Sequence, residues 1–128
     1  MIDHIGFSVS NLTRARSFYE AALAPLGIRV VREVTPEMTG GVDAHIGFGS
    51  TRPFFWIGTG ERHTPGIHVA FASPDRATVD AFYRAAIAAG GIDNGKPGLR
   101  PHYHEHYYGA FVLDPDGHNI EAVCHRPG

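Results

Sequence analysis

Written under itself, the chain repeats. The stretch HIGFSVSNLTRARSFYEAAL, residues 4–23, lies over HVAFASPDRATVDAFYRAAI, residues 68–87, at an offset of 64 residues. His4 meets His68, Phe7 meets Phe71, Phe18-Tyr19 meets Phe82-Tyr83, and Ala21-Ala22 meets Ala85-Ala86. Further along the match loosens, and Phe48 falls over Phe111 only at an offset of 63. Self-similarity of this length predicts one supersecondary unit used twice. The expected organisation is a single domain over residues 1–128, made of two modules, about 1–60 and 66–125, joined near Gly60 to Gly66.

Each copy opens with a strand and then a helix. Residues 2–9 and 66–72 alternate apolar with small or polar residues, the period of a half-buried strand. Asn11 is the expected cap of the first helix, in which Leu12, Ala15, Phe18, Tyr19, Ala22 and Leu23 keep helical spacing. Ser73-Pro74-Asp75 is expected to start the second helix with a Ser cap and Pro at its first position, and Gly90-Gly91 to end it. Three strand-like runs follow each helix: 28–34, 43–48 and 54–57 in the first copy, then a weak one around 91–94, with 107–113 and 119–124, in the second. Asp114-Pro115-Asp116-Gly117 has the composition of a turn between the last two. The predicted class is α+β: tandem βαβββ modules forming a cupped, mostly antiparallel sheet with helices on the outer face.

Strand parity separates the two sides of that sheet. Ile5, Phe7 and Val9 oppose His4, Gly6 and Ser8; Ile67, Val69 and Phe71 oppose His68, Ala70 and Ala72; Ile120, Ala122 and Cys124 oppose Asn119, Glu121 and Val123. One face is large and apolar, suited to the helices. The other carries small residues with two His and one Glu, a set that suits a divalent metal and leaves coordination positions open. A single His on a strand is more often a hydrogen-bonded structural residue. Here the position recurs in both modules, and Glu121 on the same face would be an expensive buried charge without a partner.

Composition narrows the partners. The formal net charge is −2 with Lys and Arg scattered, which argues against nucleic acid. No apolar run approaches the ~20 residues a membrane span needs, and one cysteine cannot form an internal disulfide, so a cytoplasmic location is the default expectation.

Tandem βαβββ modules, a His opening each, and the run Ala110-Phe111-Val112-Leu113-Asp114-Pro115-Asp116-Gly117-His118-Asn119-Ile120-Glu121 resemble the vicinal oxygen chelate superfamily over residues 2–125. That superfamily includes glyoxalase I, extradiol dioxygenases, fosfomycin-modifying thiol transferases and bleomycin-resistance proteins. The resemblance implies His4, His68 and Glu121 as ligands of one divalent ion per site (Fe, Mn, Zn or Ni). It implies a small-molecule substrate whose oxygens bind that ion, in a lyase, transferase or dioxygenase reaction. It also implies a homodimer whose metal sites join His4 of one subunit to His68 and Glu121 of the other, the alternative being that both modules close on each other within one chain. Glyoxalase I has a fourth ligand, a Glu, where this chain carries Trp56, which cannot ligate. The alternative function is a metal-free small-molecule or drug-binding protein of the bleomycin-resistance type.

Other candidates are weaker. The segment 101–108, Pro-His-Tyr-His-Glu-His-Tyr-Tyr, reads as a solvent-exposed loop, as a second metal site, or as a lid carrying a base and a phenol, with His104 and Tyr108 the catalytic candidates. Tyr108 is expected on the cavity side with Ala110 and Val112, and His45 is expected there too. Trp56 and Phe54 are expected to pack with some cavity contact, Arg100 to be solvated, and His118 to lie on the surface. Cys124 is expected to be buried and structural, since no base stands beside it.

Overall fold

In the computed structural model, which describes residues 2–60 and 66–128, two four-stranded sheets carry the same strand order. The first holds β1 (Ile5–Ser8), β2 (Arg29–Val34), β3 (His45–Gly49) and β4 (Pro53–Gly58) in the order β1-β4-β3-β2. The second holds β5 (His68–Ala72), β6 (Ile92–Leu99), β7 (Tyr108–Leu113) and β8 (Asn119–Cys124) in the order β5-β8-β7-β6. β1 runs parallel to β4 and β5 parallel to β8, while the other neighbours are antiparallel. Helix α1 (Leu12–Leu23) follows β1, and α2 (Arg76–Ala88) follows β5. The class is α+β, as the repeat predicts. Of the expected join between the copies, Gly60 to Gly66, residues 61–65 lie outside the described residues.

Local chemistry sets the helix ends. Asn11 accepts the Arg14 amide through its side chain at 3.0 Å, which satisfies one of the donors left open at a helix start. The second cap is Asp75 rather than the expected Ser73, because its carboxylate accepts the Thr78 amide at 2.7 Å. Ser73 instead donates its hydroxyl to the Asp75 carbonyl at 2.8 Å, which holds the cap in place. Past the end of α2, Gly90 takes φ 100°, and the Gly91 amide returns to the Ala86 carbonyl at 2.9 Å. The strand expected to be weak around 91–94 is the longest, Ile92–Leu99.

The register also corrects the alignment beyond the helices. Trp56 faces Gly6 on one side and Gly47 on the other, whereas Glu121 faces Ala70 and Phe111. Gly47, not Phe48, therefore matches Phe111, and the offset of 64 persists there. Phe48 is instead fully buried on the helix side.

Aromatic rings join the two halves. Phe55 of β4 meets Phe71 of β5 edge-on at 5.2 Å and Tyr19 of α1 at 5.0 Å. α1 also packs on α2. The Tyr19 hydroxyl donates to Asp114 at 2.5 Å, and both groups are buried. Asp114 in turn accepts the amides of Asp116 and His118, each at 2.9 Å, which closes the turn before β8. His118 is thereby buried against Phe7 at 4.8 Å, not exposed as expected. The turn captures it.

Burial, followed by the negative charge of Asp114, drives the Tyr19 phenol well above its ordinary range. A raised folded-state value contributes stability that is complete below the unfolded value, near pH 10, and is lost as pH rises further. Tyr19→Phe is expected to cost about 1–3 kcal/mol in urea unfolding at neutral pH, since it strands one buried carboxylate oxygen. The variant should also show a shallower loss of stability above about pH 10. A change within about 0.5 kcal/mol would remove this contact from the list of structural supports.

Candidate metal centre and substrate groove

The parallel pairing of β5 with β8 sets His68 opposite Asn119 and Ala70 opposite Glu121. His68 therefore lies diagonal to Glu121 on the open face of the second sheet. His68 Nδ1 lies 3.0 Å from the Asn119 carbonyl, which can only accept, so Nδ1 carries the hydrogen. Nε2 is then the free lone pair, and it faces Glu121 Oε1 at 3.2 Å. Two acceptors at that distance call for a proton or a cation beside them.

The Glu121 side chain is 1% exposed and that of His68 46%. The second carboxylate oxygen accepts the Tyr107 hydroxyl. Space for this pair comes from Gly109, where a Cβ would stand 3.1 Å from both Glu121 Oε2 and the Tyr107 ring. The Tyr107 phenol is pushed up, first by burial and then by the hydrogen bond to Glu121 and its charge, so it stays a donor at neutral pH. Phe111 stacks on His68 at 6.3 Å, and the Arg100 guanidinium lies 5.4 Å over the Phe111 ring. Arg100 is not simply solvated, for it donates to the Gly98 and Lys96 carbonyls at 2.8 Å each.

His4 sits on the other sheet. It lies just before β1, where its Nδ1 meets Asp3 at 2.8 Å, and it lines an open groove of about 960 Å³ with His45 and Trp56. Among the described residues, no three of His, Cys, Asp and Glu stand close enough together to hold a metal. One chain thus brings His68 and Glu121 together and leaves His4 apart. Phe54 lines a smaller pocket of about 340 Å³ that also reaches His68. Trp56 stands where the repeat places it, at the counterpart of Glu121.

Tyr108 requires a correction. It pairs with Cys124, a helix-side residue, and its hydroxyl donates to Asp80 of α2 at 2.7 Å. Ala110 and Val112 share its parity and are core residues packed beneath the helix, so that parity points away from the cavity. Tyr107 is the residue that reasoning from sequence missed. The signal was available in the alternation of Gly109 and Phe111 with Ala110 and Val112. His104 is exposed in the turn before β7; its ring lies 5.6 Å from His125, which lies 5.2 Å from Tyr107. Cys124 is a buried free thiol.

Tyr107→Phe and Tyr108→Phe separate these assignments. If Glu121 holds a divalent ion, removing the Tyr107 hydroxyl should weaken its affinity about 10–100-fold in chelator competition, the usual effect of losing a partner that orients a ligand. Tyr108→Phe should leave that affinity unchanged, and equal effects would contradict the placement.

Comparison with known proteins agrees with the fold and the motif. No curated protein matches the chain significantly. A glyoxalase/bleomycin resistance protein from Albidiferax ferrireducens T118 is 29% identical, with 98% of each chain covered and a TM-score of 0.74. A glyoxalase/bleomycin resistance protein/dioxygenase family enzyme from Burkholderia phytofirmans PsJN shares the fold at 15% identity, with 98% of each chain covered and a TM-score of 0.70. A glyoxalase I mutant from Zea mays does so at 22% identity, with 95% of this chain and 46% of that one covered and a TM-score of 0.71. The model of the Glyoxalase/Bleomycin resistance protein/Dioxygenase superfamily matches residues 1–122, and the chain belongs to that superfamily.

Proposed function

We propose that the protein is a metal-dependent enzyme acting on a small molecule whose oxygen atoms bind a divalent cation held by His4, His68 and Glu121. The observation that carries this reading is the facing pair of acceptors, His68 Nε2 and Glu121 Oε1 at 3.2 Å. The donor set fits a borderline divalent ion, and Asn119 and Tyr107 orient the two ligands from behind. When bound, such an ion supplies Lewis-acid polarisation of substrate oxygens, and Fe(II) in a two-His-one-carboxylate set also supports oxygen chemistry.

The chain's own residues do the rest. Asn119 fixes the His68 tautomer; Tyr107 occupies one carboxylate oxygen and leaves the other directed at His68. His104, two ring contacts further out through His125, is the proposed proton-exchanging group at the rim. Because His4 stands apart from the other two ligands, we place the site between two copies of the chain, each supplying His4 to its partner's His68 and Glu121. The same separation supports a homodimer.

Elemental analysis of purified protein should find about one divalent ion per chain, and metal should raise the melting temperature by binding only the folded state. His68→Ala and Glu121→Ala should abolish both effects. Full metal occupancy in folded Glu121→Ala protein would overturn the ligand assignment. Oxygen uptake on a catechol panel then separates dioxygenase chemistry from lyase or transferase chemistry.

A further inference from the structure

The groove on the first sheet is floored by rings. The register aligns Arg32, Gly47, Trp56 and Gly6 across the four strands, and Val34, His45, Gly58 and Ser8 in the next row. A Cβ at Gly47 would stand 2.9 Å from the Trp56 ring, and one at Gly58 would collide with His45 Nδ1. Each ring thus lies over a strand neighbour that has no side chain. The rings floor the open groove instead of filling it. Its volume, about 960 Å³, falls within the roughly 300–1,000 Å³ that suits a small organic ligand.

Two guanidinium groups, Arg32 and Arg52, also line the groove. Asp3 is the one carboxylate among its described lining residues, and it already meets His4 at 2.8 Å and Arg52 at 3.6 Å. Arg32 makes no ion pair among the described residues, although it stands in the same row as Trp56. An aromatic floor with an uncompensated planar cation beside it is complementary to a flat anion.

We infer that the groove binds a flat, conjugated carboxylate, with its π system on Trp56 and its carboxylate on Arg32, assisted by Arg52. The inference rests on reading the groove, which also carries His4, as the half of the active site that holds the substrate's body. It names the class of substrate for that site.

Trp56 is the sole tryptophan, so its fluorescence reports the groove directly. The test titrates EDTA-treated protein with cinnamate, with cinnamamide (the same flat body without charge) and with 3-cyclohexylpropanoate (the same charge without a flat body). Cinnamate should quench saturably and bind about tenfold more tightly than either control. Arg32→Gln should lower cinnamate affinity about tenfold and leave cinnamamide unchanged. In calorimetry, Trp56→Leu should weaken both flat probes about tenfold; should that variant fail to fold, the exposed Arg32 decides the matter. Cinnamamide binding as tightly as cinnamate, indifference to Arg32→Gln, or no quenching up to about 10 mM would each overturn the inference. The probes are scored without metal, so a failed ligand assignment, seen as Glu121→Ala protein that keeps its metal, is a separate result from a failed groove.

Discussion

A carboxylate buried to 1% exposure makes the strongest demand on this structure. Taking the charge of Glu121 out of water costs several kcal/mol unless hydrogen bonds and an opposite charge replace the solvent. The surrounding residues answer part of that demand. Gly109 leaves room for the carboxylate, and Tyr107 donates to one oxygen. Asn119, by contrast, holds His68 so that Nε2 turns its lone pair to the other oxygen, which adds to the demand until a proton or cation stands between them. What remains is a position that favours a cation, and the strand pairing that creates it is the same pairing that builds the sheet.

The open faces of the two copies of the module differ through one exchange of bulk. In the first sheet the large ring is Trp56 on β4, and its β3 neighbour is glycine. In the second sheet the large ring has moved one strand over, to Phe111, which leaves the β8 position to a carboxylate. Phe111 in turn lies against Gly95 of β6, where a Cβ would approach it to 2.8 Å. Core residues between sheets and helices have not diverged in this way: Phe7 and Phe71 on the strands, and Phe18 and Phe82 on the helices, are buried in both copies. A core position is constrained from all sides, whereas an open-face position has only its row neighbours to satisfy. Substitution is therefore easiest on the open face.

The fold was legible because hydrophobic period and repeat act together. The stripe at Ala15, Phe18, Tyr19 and Ala22, and the recurrence of His4 at His68, fix two helices and the faces of their first strands before any contact is known. The pairing of His68 with Glu121 follows from strand parity. Legibility failed where one residue's orientation depended on a partner far away in sequence. Tyr108 and Tyr107 differ only by parity, and the decision belongs to Cys124 and Asp80 on one side and Glu121 on the other. His118 has turn composition around it, yet the hydrogen bond that its amide donates to the Asp114 carboxylate draws it inward. Ser73 is as good a cap as Asp75 by type, and only geometry chooses between them. The site's shape was harder still, since an aromatic floor depends on two glycines whose role appears only across strands.

In the proposed arrangement a complete metal site needs two copies of the chain. Combining His4→Ala chains with Glu121→Ala chains, under conditions that let heterodimers form, tests it directly. In such a heterodimer one site carries both lesions and the other carries neither. Metal binding should reappear on mixing two proteins that bind little or none alone, at up to about one ion per heterodimer. Heterodimers verified by native mass spectrometry that recover no metal would contradict it.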